Sequence, residues 1–375
     1  MKQLKVLTIV GTRPEAIKLA PVIKELTRRP SEFLSIVCAT GQHREMLDQV
    51  LRVFRIVPDH DLNLMSPGQS LAQITARAIE ALNPVMARER PDVVLVQGDT
   101  TTAFCGALVA YYHKRKVGHV EAGLRTGDKF APFPEEINRR LVSPMTDYHF
   151  APTEHARAAL LAEGVPASSV FVTGNTVIDA LLWVREQVSQ ELPVLPDGLA
   201  AALDGRQTVL VTGHRRESFG EGFENICCAI REVADASPDV LFVYPVHLNP
   251  SVREPVNRIL GGHDRIRLIE PLGYMSFVWL MDRATVVLTD SGGVQEEAPS
   301  LGKPVLVMRE TTERPEGIAA GNARLVGVKR KDILSGLLQL LRNSTERAAM
   351  TTVRNPYGDG KAAARIADIL AKEVS

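Results

Sequence analysis

Short runs that are apolar at nearly every position recur along the whole chain. They fall at residues 5–10, 34–39, 93–97, 117–120, 148–151 and 170–172, and again at 208–212, 240–244, 266–269, 285–289 and 305–308. A strand with one solvated face alternates apolar and polar residues. Runs without that alternation are covered on both faces, which is the pattern of parallel strands lying between helices. Longer stretches with helical spacing separate them, at 14–28, 44–54, 70–88 and 101–113 in the first half and 222–236, 274–282 and 292–301 in the second. Alternation of this kind predicts an α/β fold built on doubly wound parallel sheets.

The alternation is interrupted once. Residues 191–206 carry Pro193, Pro196, Gly198 and Gly205 and read as a connection, after which the pattern restarts. A chain of 375 residues accommodates two domains of ~100–200 residues each. The expected architecture is therefore two Rossmann-like doubly wound parallel-sheet domains facing across a cleft. The run Asn355-Pro356-Tyr357-Gly358-Asp359-Gly360 breaks the chain before one last helix at 361–372.

Composition excludes several classes of function. Lys+Arg and Asp+Glu are both 44, so no global field attracts nucleic acid or anionic lipid. With 45% hydrophobic and 23% charged residues the chain is not of the disordered type. Cys38, Cys105, Cys227 and Cys228 show neither C-x-x-C nor zinc spacing and are expected to pack as small apolar residues. No apolar run approaches the ~18 residues of a membrane helix. The apolar start at 6–10 is too short for a signal-peptide core. A cytoplasmic protein with no membrane or nucleic-acid partner is expected.

Ligands of doubly wound sheets sit outside the carboxyl ends of the strands, and the chemically informative residues follow strands. Gly11-Thr12-Arg13-Pro14-Glu15 has the spacing of a capping box, with Pro14 in the first turn. Such a helix start offers N–H groups to an anion, and Arg13 and Lys18 add positive charge. G-x-G-x-x-G is absent there, against a dinucleotide site. Asp99, Glu121 and Glu135 each have a local alternative as a helix cap or a first-turn partner of the helix dipole. All three, however, are expected at the same end of one sheet. Carboxylates sharing a cleft have their pKa values pushed apart, which supplies an acid and a base.

In the second half, Thr212-Gly213-His214-Arg215-Arg216 places a His and two Arg at a strand end, as a phosphate clamp would. In Asp290-Ser291-Gly292-Gly293 a strand ends, two glycines permit close backbone approach and a helix begins, which makes an anion cradle. Glu297, one turn into that helix, can reach ribose hydroxyls, whereas Glu296 points elsewhere. Arg309, Arg314 and Glu316 follow the next strand. Asp59-His60-Asp61 has the form of the D-x-D of metal-dependent glycosyltransferases, yet it sits in a connection between helices and reads as structural. His43, His113, His149, His155, His247 and His263 have no partners at metal-ligand spacing, so no metal is expected.

Taken together, GTRPEAIK, QHREMLDQVL, QGDTTT, HVEAGLRTG, FPEEINR, TGNTVIDAL, TGHRRESFG, YPVHLNP, DSGGVQEEAPSLGKPVL, TTERPEG and NPYGDG, in this order across residues 5–365, resemble the bacterial non-hydrolysing UDP-N-acetylglucosamine 2-epimerases. The resemblance implies the GT-B arrangement, with the last helix crossing back, so that 1–174 plus 361–375 form one domain and 175–360 the other. It implies a homodimer and no nicotinamide or other cofactor. The implied reaction interconverts UDP-GlcNAc and UDP-ManNAc through 2-acetamidoglucal and UDP, and serves cell-envelope polysaccharide synthesis. Carried over by motif, Asp99, Glu121 and Glu135 are the catalytic carboxylates and His214 a further catalytic candidate. Arg13, Lys18, His214, Ser291, Gly292, Gly293 and Arg314 would hold the diphosphate and neighbouring groups, Glu297 the ribose, and Phe277 with the backbone near Leu272 the uracil. Gln42, Arg215 and His247 match residues of an allosteric substrate site found in some members. Glu45 stands where those members have Gln, and Gly68 where they have Arg. Rival activities are a 2-epimerase for a UDP-2,3-diacetamido sugar, a GT-B glycosyltransferase, a hydrolysing epimerase and a nucleotide-sugar sensor.

Overall fold

The computed structural model describes residues 3–41, 44–64, 66 and 68–372, with the backbone alone for Arg44 and Glu45. The chain divides into two compact units, Met1–Ala180 with Tyr357–Ser375, and Leu181–Pro356.

Among the described residues the first unit forms one seven-stranded sheet in the order β3-β2-β1-β4-β5-β6-β7. Its strands are β1 (Leu4–Val10), β2 (Phe33–Ala39), β3 (His60–Asp61), β4 (Val93–Gln97), β5 (Lys116–Val120), β6 (Tyr148–Ala151) and β7 (Val170–Val172). Every pairing is parallel. The intervening helices are α1 (Arg13–Arg28), α2 (Arg44–Val53), α3 (Leu71–Glu89), α4 (Thr101–Tyr112), α5 (Glu135–Val142), α6 (Glu154–Ala162) and α7 (Thr176–Gln190), with the division between units inside α7.

The second unit forms a six-stranded sheet in the order β10-β9-β8-β11-β12-β13. It comprises β8 (Gln207–Thr212), β9 (Val240–Pro245), β10 (Ile266–Ile269), β11 (Val286–Thr289), β12 (Val305–Val307) and β13 (Ala323–Leu325), again all parallel. Its helices are α8 (Leu199–Leu203), α9 (Glu221–Ala236), α10 (Pro250–Leu260), α11 (Tyr274–Arg283), α12 (Gly292–Glu297), α13 (Pro315–Ala320), α14 (Arg330–Arg342) and α15 (Ser344–Thr351). The last helix, α16 (Ala362–Ala371), belongs to the first unit.

The apolar runs are these strands, and the reason is burial: every residue of β4, β11 and β12 is buried. Two elements differ from expectation. Asp59-His60-Asp61 is not a connection, because His60 and Asp61 pair with Cys38 and Ala39 as the edge strand β3. It has a structural role: Asp59 Oδ2 accepts from Val37 N at 2.8 Å, and His60 Nε2 lies 3.0 Å from Glu89 Oε1. The second is β13, which adds an edge beyond β12. β3 is two polar residues, and Arg324 interrupts β13, so neither carries an apolar signature. Buried Cys38, Cys105 and Cys227 pack in the interior, where burial pushes each thiol up to about 12.

α16 is tied to the first unit through α7. Asp179 accepts from Ala362 N at 3.2 Å and Ala363 N at 2.9 Å, supplying the N-terminal cap that Lys361 does not. Burial raises the Asp179 carboxyl to about 6 against those hydrogen bonds.

In each sheet the first strand lies between its successor and a strand from later in the chain, β1 beside β4 and β8 beside β11. These are the topological switch points where ligands bind in doubly wound sheets. Among the described residues, no group of His, Cys, Asp and Glu could hold a metal ion, and no helix is long and apolar enough to cross a membrane.

The turn after β5 needs one particular glycine. Gly123 has φ +94°, and a Cβ there would stand 2.2 Å from the Ala156 carbonyl oxygen, at the start of α6. Gly123→Ala is expected to destabilise the fold by about 3 kcal/mol or more, through forbidden backbone geometry and a clash with backbone. Denaturant unfolding checks this, and an unchanged midpoint would contradict it.

Candidate active site

At the switch point of the first unit, β1 runs into Gly11 and Thr12, and α1 begins at Arg13. Thr12 and Glu15 form the expected capping box. The Glu15 carboxylate does more than cap. Fully buried, it accepts from Thr12 N at 2.6 Å, Gly11 N at 3.1 Å and Thr100 Oγ1 at 2.6 Å. It therefore ties the loop after β1 to the loop after β4. Burial raises its pKa to about 7, although Thr100, Thr12 and Gly11 pull it down.

Asp99 lies in that second loop, after Gly98 (φ +67°). Its backbone carbonyl accepts from Asn138 Nδ2 at 2.9 Å, and its carboxylate is bonded by Arg139 Nη2. The Gly98 carbonyl accepts from His119 Nε2 at 2.7 Å. Burial drives the His119 pKa down to about 3, so this ring is a neutral donor that fixes the loop and carries no charge.

Glu121 directly follows β5 and has φ +65°, a left-handed conformation that a non-glycine residue adopts at a cost of ~1–3 kcal/mol. Its side chain is buried and saturated with donors: Lys18 Nζ, Gln97 Nε2 and Asn175 Nδ2, the last at 3.2 Å. Lys18, expected to add charge for an anion, is thus an ion-pair partner of Glu121. Glu135 opens α5 half-buried, and its neighbour Glu136 is fully buried. Among the described residues, neither the Glu135 carboxylate nor the Arg13 guanidinium has a hydrogen bond or ion pair.

The switch point of the second unit has its own buried carboxylate. Asp290, at the end of β11, accepts from His214 N at 2.7 Å and Arg215 N at 2.8 Å through Oδ2. Its Oδ1 lies 3.2 Å from His214 Nδ1. Burial works to raise the Asp290 pKa. The His214 side chain and the two backbone N–H groups outweigh it and hold the carboxyl below its usual value. The His247 ring stacks on His214 with centroids 5.5 Å apart and planes at 21°. Burial and the neighbouring His214 lower the His247 pKa.

Ser291 precedes α12, which starts at Gly292. A Cβ on Gly292 would lie 3.8 Å from Arg314 Nη2 and 3.9 Å from Arg215 Nη2, so two guanidiniums flank this helix start. Gly293 adds no side chain to crowd it. Glu296, buried, pairs with Arg314, while Glu297 accepts from Tyr274 Oη at 2.7 Å. The two acids point apart, as their spacing predicts. Leu272 and Gly273 lead into α11, whose second turn begins with half-buried Phe277, bonded from its N–H to the Gly273 carbonyl at 2.9 Å. Gln42 lies outside the described residues. Gly68, at φ +72°, is in the first unit.

The structure thus gathers Lys18 and Glu121 at one point of the first unit, and links Asp99 to the Arg13 loop through Glu15 and Thr100. In the second unit it gathers His214, Arg215, His247, Gly292 and Arg314. Sequence reasoning missed the holders of these groups: Glu15 in its bridging role, Asp290, Gln97, Asn138, Arg139, Asn175 and Tyr274. The capping-box spacing marked Glu15 as a cap, but nothing local marks its reach to Thr100.

Glu15 gives a pH prediction. Its folded pKa of about 7 lies above the ordinary 4.5, so the folded chain holds this proton more tightly than the unfolded chain. Stability from this group is greatest below 4.5 and falls as pH rises through about 7. Relative to the parent, Glu15→Gln should therefore gain up to about 3 kcal/mol of unfolding free energy between pH 5 and pH 8, beyond any constant offset. Parallel denaturant titrations measure this; a pH-independent difference would contradict it.

The family model described as UDP-N-acetylglucosamine 2-epimerase matches residues 24–371. A UDP-N-acetylglucosamine 2-epimerase of Escherichia coli strain K12 is 57% identical over 371 residues, covering 98% of each chain. One from Salmonella typhimurium is 56% identical over 375 residues, again covering 98% of each. Among solved structures, the UDP-GlcNAc 2-epimerase of Neisseria meningitidis bound to UDP-GlcNAc superposes with a TM-score of 0.88 at 48% identity, over 98% of this chain and 100% of that one. By full-length similarity, the chain belongs to the UDP-N-acetylglucosamine 2-epimerase family, and it is an isomerase of that family.

Proposed function

We propose that the chain interconverts UDP-GlcNAc and UDP-ManNAc without hydrolysis, by elimination of UDP and its re-addition. The observation that carries this is the coexistence of two specialised clusters in one chain of this family. In the first unit Asp99 and Glu121 follow the adjacent parallel strands β4 and β5, and Glu135 opens the helix whose Arg139 holds Asp99. The second unit holds a helix start flanked by Arg215 and Arg314. A nucleotide-sugar sensor needs the second cluster and has no use for three acids. The Neisseria relative, bound to UDP-GlcNAc, supports the same ligand for this chain.

The chemistry explains the division of labour. The C2 proton is weakly acidic, because C2 bears an amide nitrogen and no adjacent carbonyl. Departure of UDP must therefore drive its loss. The C2–H electrons form the C1–C2 double bond, the C1–O pair leaves with UDP, and a carboxylate takes the proton. Return of a proton to the opposite face of C2 and re-addition of UDP at C1 complete the epimerisation. Fixed cations and backbone N–H groups stabilise the leaving diphosphate without reorganising. Arg215, Arg314 and the Gly292 helix start supply them within the second unit. Arg215 matches the second nucleotide-sugar site of some relatives, but its place beside Gly292 supports a role at the diphosphate itself. Among the described residues Glu135 has no ion-pair partner and is left open to substrate, whereas Glu121 and Asp99 carry cationic partners. Glu297, already bonded to Tyr274, is oriented to accept from the ribose. A cytoplasmic homodimer without nicotinamide completes the proposal, on the strength of the resemblance.

Proton NMR of the chain with UDP-GlcNAc in D2O tests the reaction. UDP-ManNAc carrying deuterium at C2 is expected. Free ManNAc with UDP would indicate the hydrolysing reaction, and an unchanged spectrum would contradict the proposal. Asp99→Asn, Glu121→Gln and Glu135→Gln should each lower turnover by about 10²-fold or more with UDP affinity largely retained. Arg13→Ala should weaken UDP binding as well. Near-normal turnover in any carboxylate variant would remove that residue from the mechanism.

A further inference from the structure

Asp99 is held from an unexpected direction. Its carboxylate, whose side chain is 28% exposed, is gripped by Arg139 of α5. Arg139 is 11% exposed, and its second terminal nitrogen, Nη1, lies 3.2 Å from Glu136 Oε2. Glu136 is fully buried and is itself fixed by Thr126 N at 3.1 Å, Gly127 N at 3.3 Å and Arg140 Nε at 3.2 Å. Asn138, on the same helix, holds the Asp99 backbone carbonyl.

A guanidinium is a rigid plane with donors in fixed directions. With Nη1 committed to a buried carboxylate on its own helix at i, i+3, the direction of Nη2 is set, and with it the plane of the Asp99 carboxylate. Glu135 is the first residue of the same helix. One short helix therefore presents one of the three acids and aims another.

We propose that Arg139, anchored by Glu136, is a positioning residue that fixes the Asp99 carboxylate relative to Glu135 for proton transfer at C2. This rests on the proposed function, in which Asp99 touches substrate. The contacts of Arg139 are with the Asp99 and Glu136 carboxylates, so it acts through Asp99. A lysine cannot serve both carboxylates with the same geometry, so the arginine is required and not merely a positive charge.

The test compares the parent with Arg139→Met, Arg139→Lys and Asp99→Asn, and with the double variant Asp99→Asn/Arg139→Met. Arg139→Met should lower kcat by about 10²-fold. KM and the Kd for UDP should stay within about threefold, because ground-state binding is untouched. Arg139→Lys should recover part of the loss. The double variant should be no slower than Asp99→Asn alone, since Arg139 acts through that carboxylate. An Arg139→Met kcat within about threefold of the parent, a loss confined to KM, or additive losses in the double variant would each overturn the proposal. If Arg139→Met does not fold, Arg139→Lys carries the test, and full activity there would overturn it. An inactive parent would sink the proposed function and this inference with it; an active parent with equally active Arg139 variants would sink this inference alone.

Discussion

A buried carboxylate stands at the switch point of each sheet, and the placement of the charged groups depends on it. In the first unit Glu15 collects the N–H groups of Gly11 and Thr12 and the hydroxyl of Thr100. In the second, Asp290 collects the N–H groups of His214 and Arg215. A doubly wound sheet separates its loops at this point, leaving a crevice with backbone donors that no strand satisfies. An acid at the crevice floor satisfies those donors and pins the loop after the first strand to its neighbour. The start of α1 with Arg13 and the loop that carries Arg215 are thereby held in defined positions.

The two acids solve the same problem with different electrostatics. Asp290 has an imidazole beside it as well as two N–H donors, and these hold it ionised against the cost of burial. Glu15 has neutral donors only, and burial prevails, bringing it to about 7. A similar economy governs the acids proposed to act on substrate. Glu121 is bonded by Lys18, Gln97 and Asn175 and held in a left-handed backbone conformation, while among the described residues Glu135 has no partner. Charge is spent on fixing geometry in one place and kept available in another.

Much of this was legible from the residues. Continuous apolar runs marked the interior strands, because a strand covered on both faces has no polar positions to alternate. The edge strand at His60 and Asp61 escaped notice, since an edge with polar side chains leaves no such run. Asp99, Glu121 and the Gly292–Gly293 helix start stand next to strand ends, and so declared themselves, while Glu135 stood out as an acid in the first turn of α5. Their partners did not. Arg139 is forty residues from Asp99, Asn175 is fifty-four from Glu121, and Asp290 is seventy-six from His214. Contacts across such separations are made by the sheet order, and no local spacing encodes them. Lys18 shows the converse: its position beside a helix start suggested an anion site, and its reach along α1 takes it to Glu121.

In the proposed reaction, fixed cations and N–H groups let UDP depart from C1 during epimerisation. Positional isotope exchange tests it most directly. UDP-GlcNAc carrying oxygen-18 in the bond between C1 and the β-phosphorus is incubated with the chain and recovered before equilibrium. Cleavage of the C1–O bond frees the β-phosphate to rotate, so label is expected in the non-bridging positions of the recovered UDP-sugars. Label that stays wholly in the bridge while C2 is epimerised would contradict it.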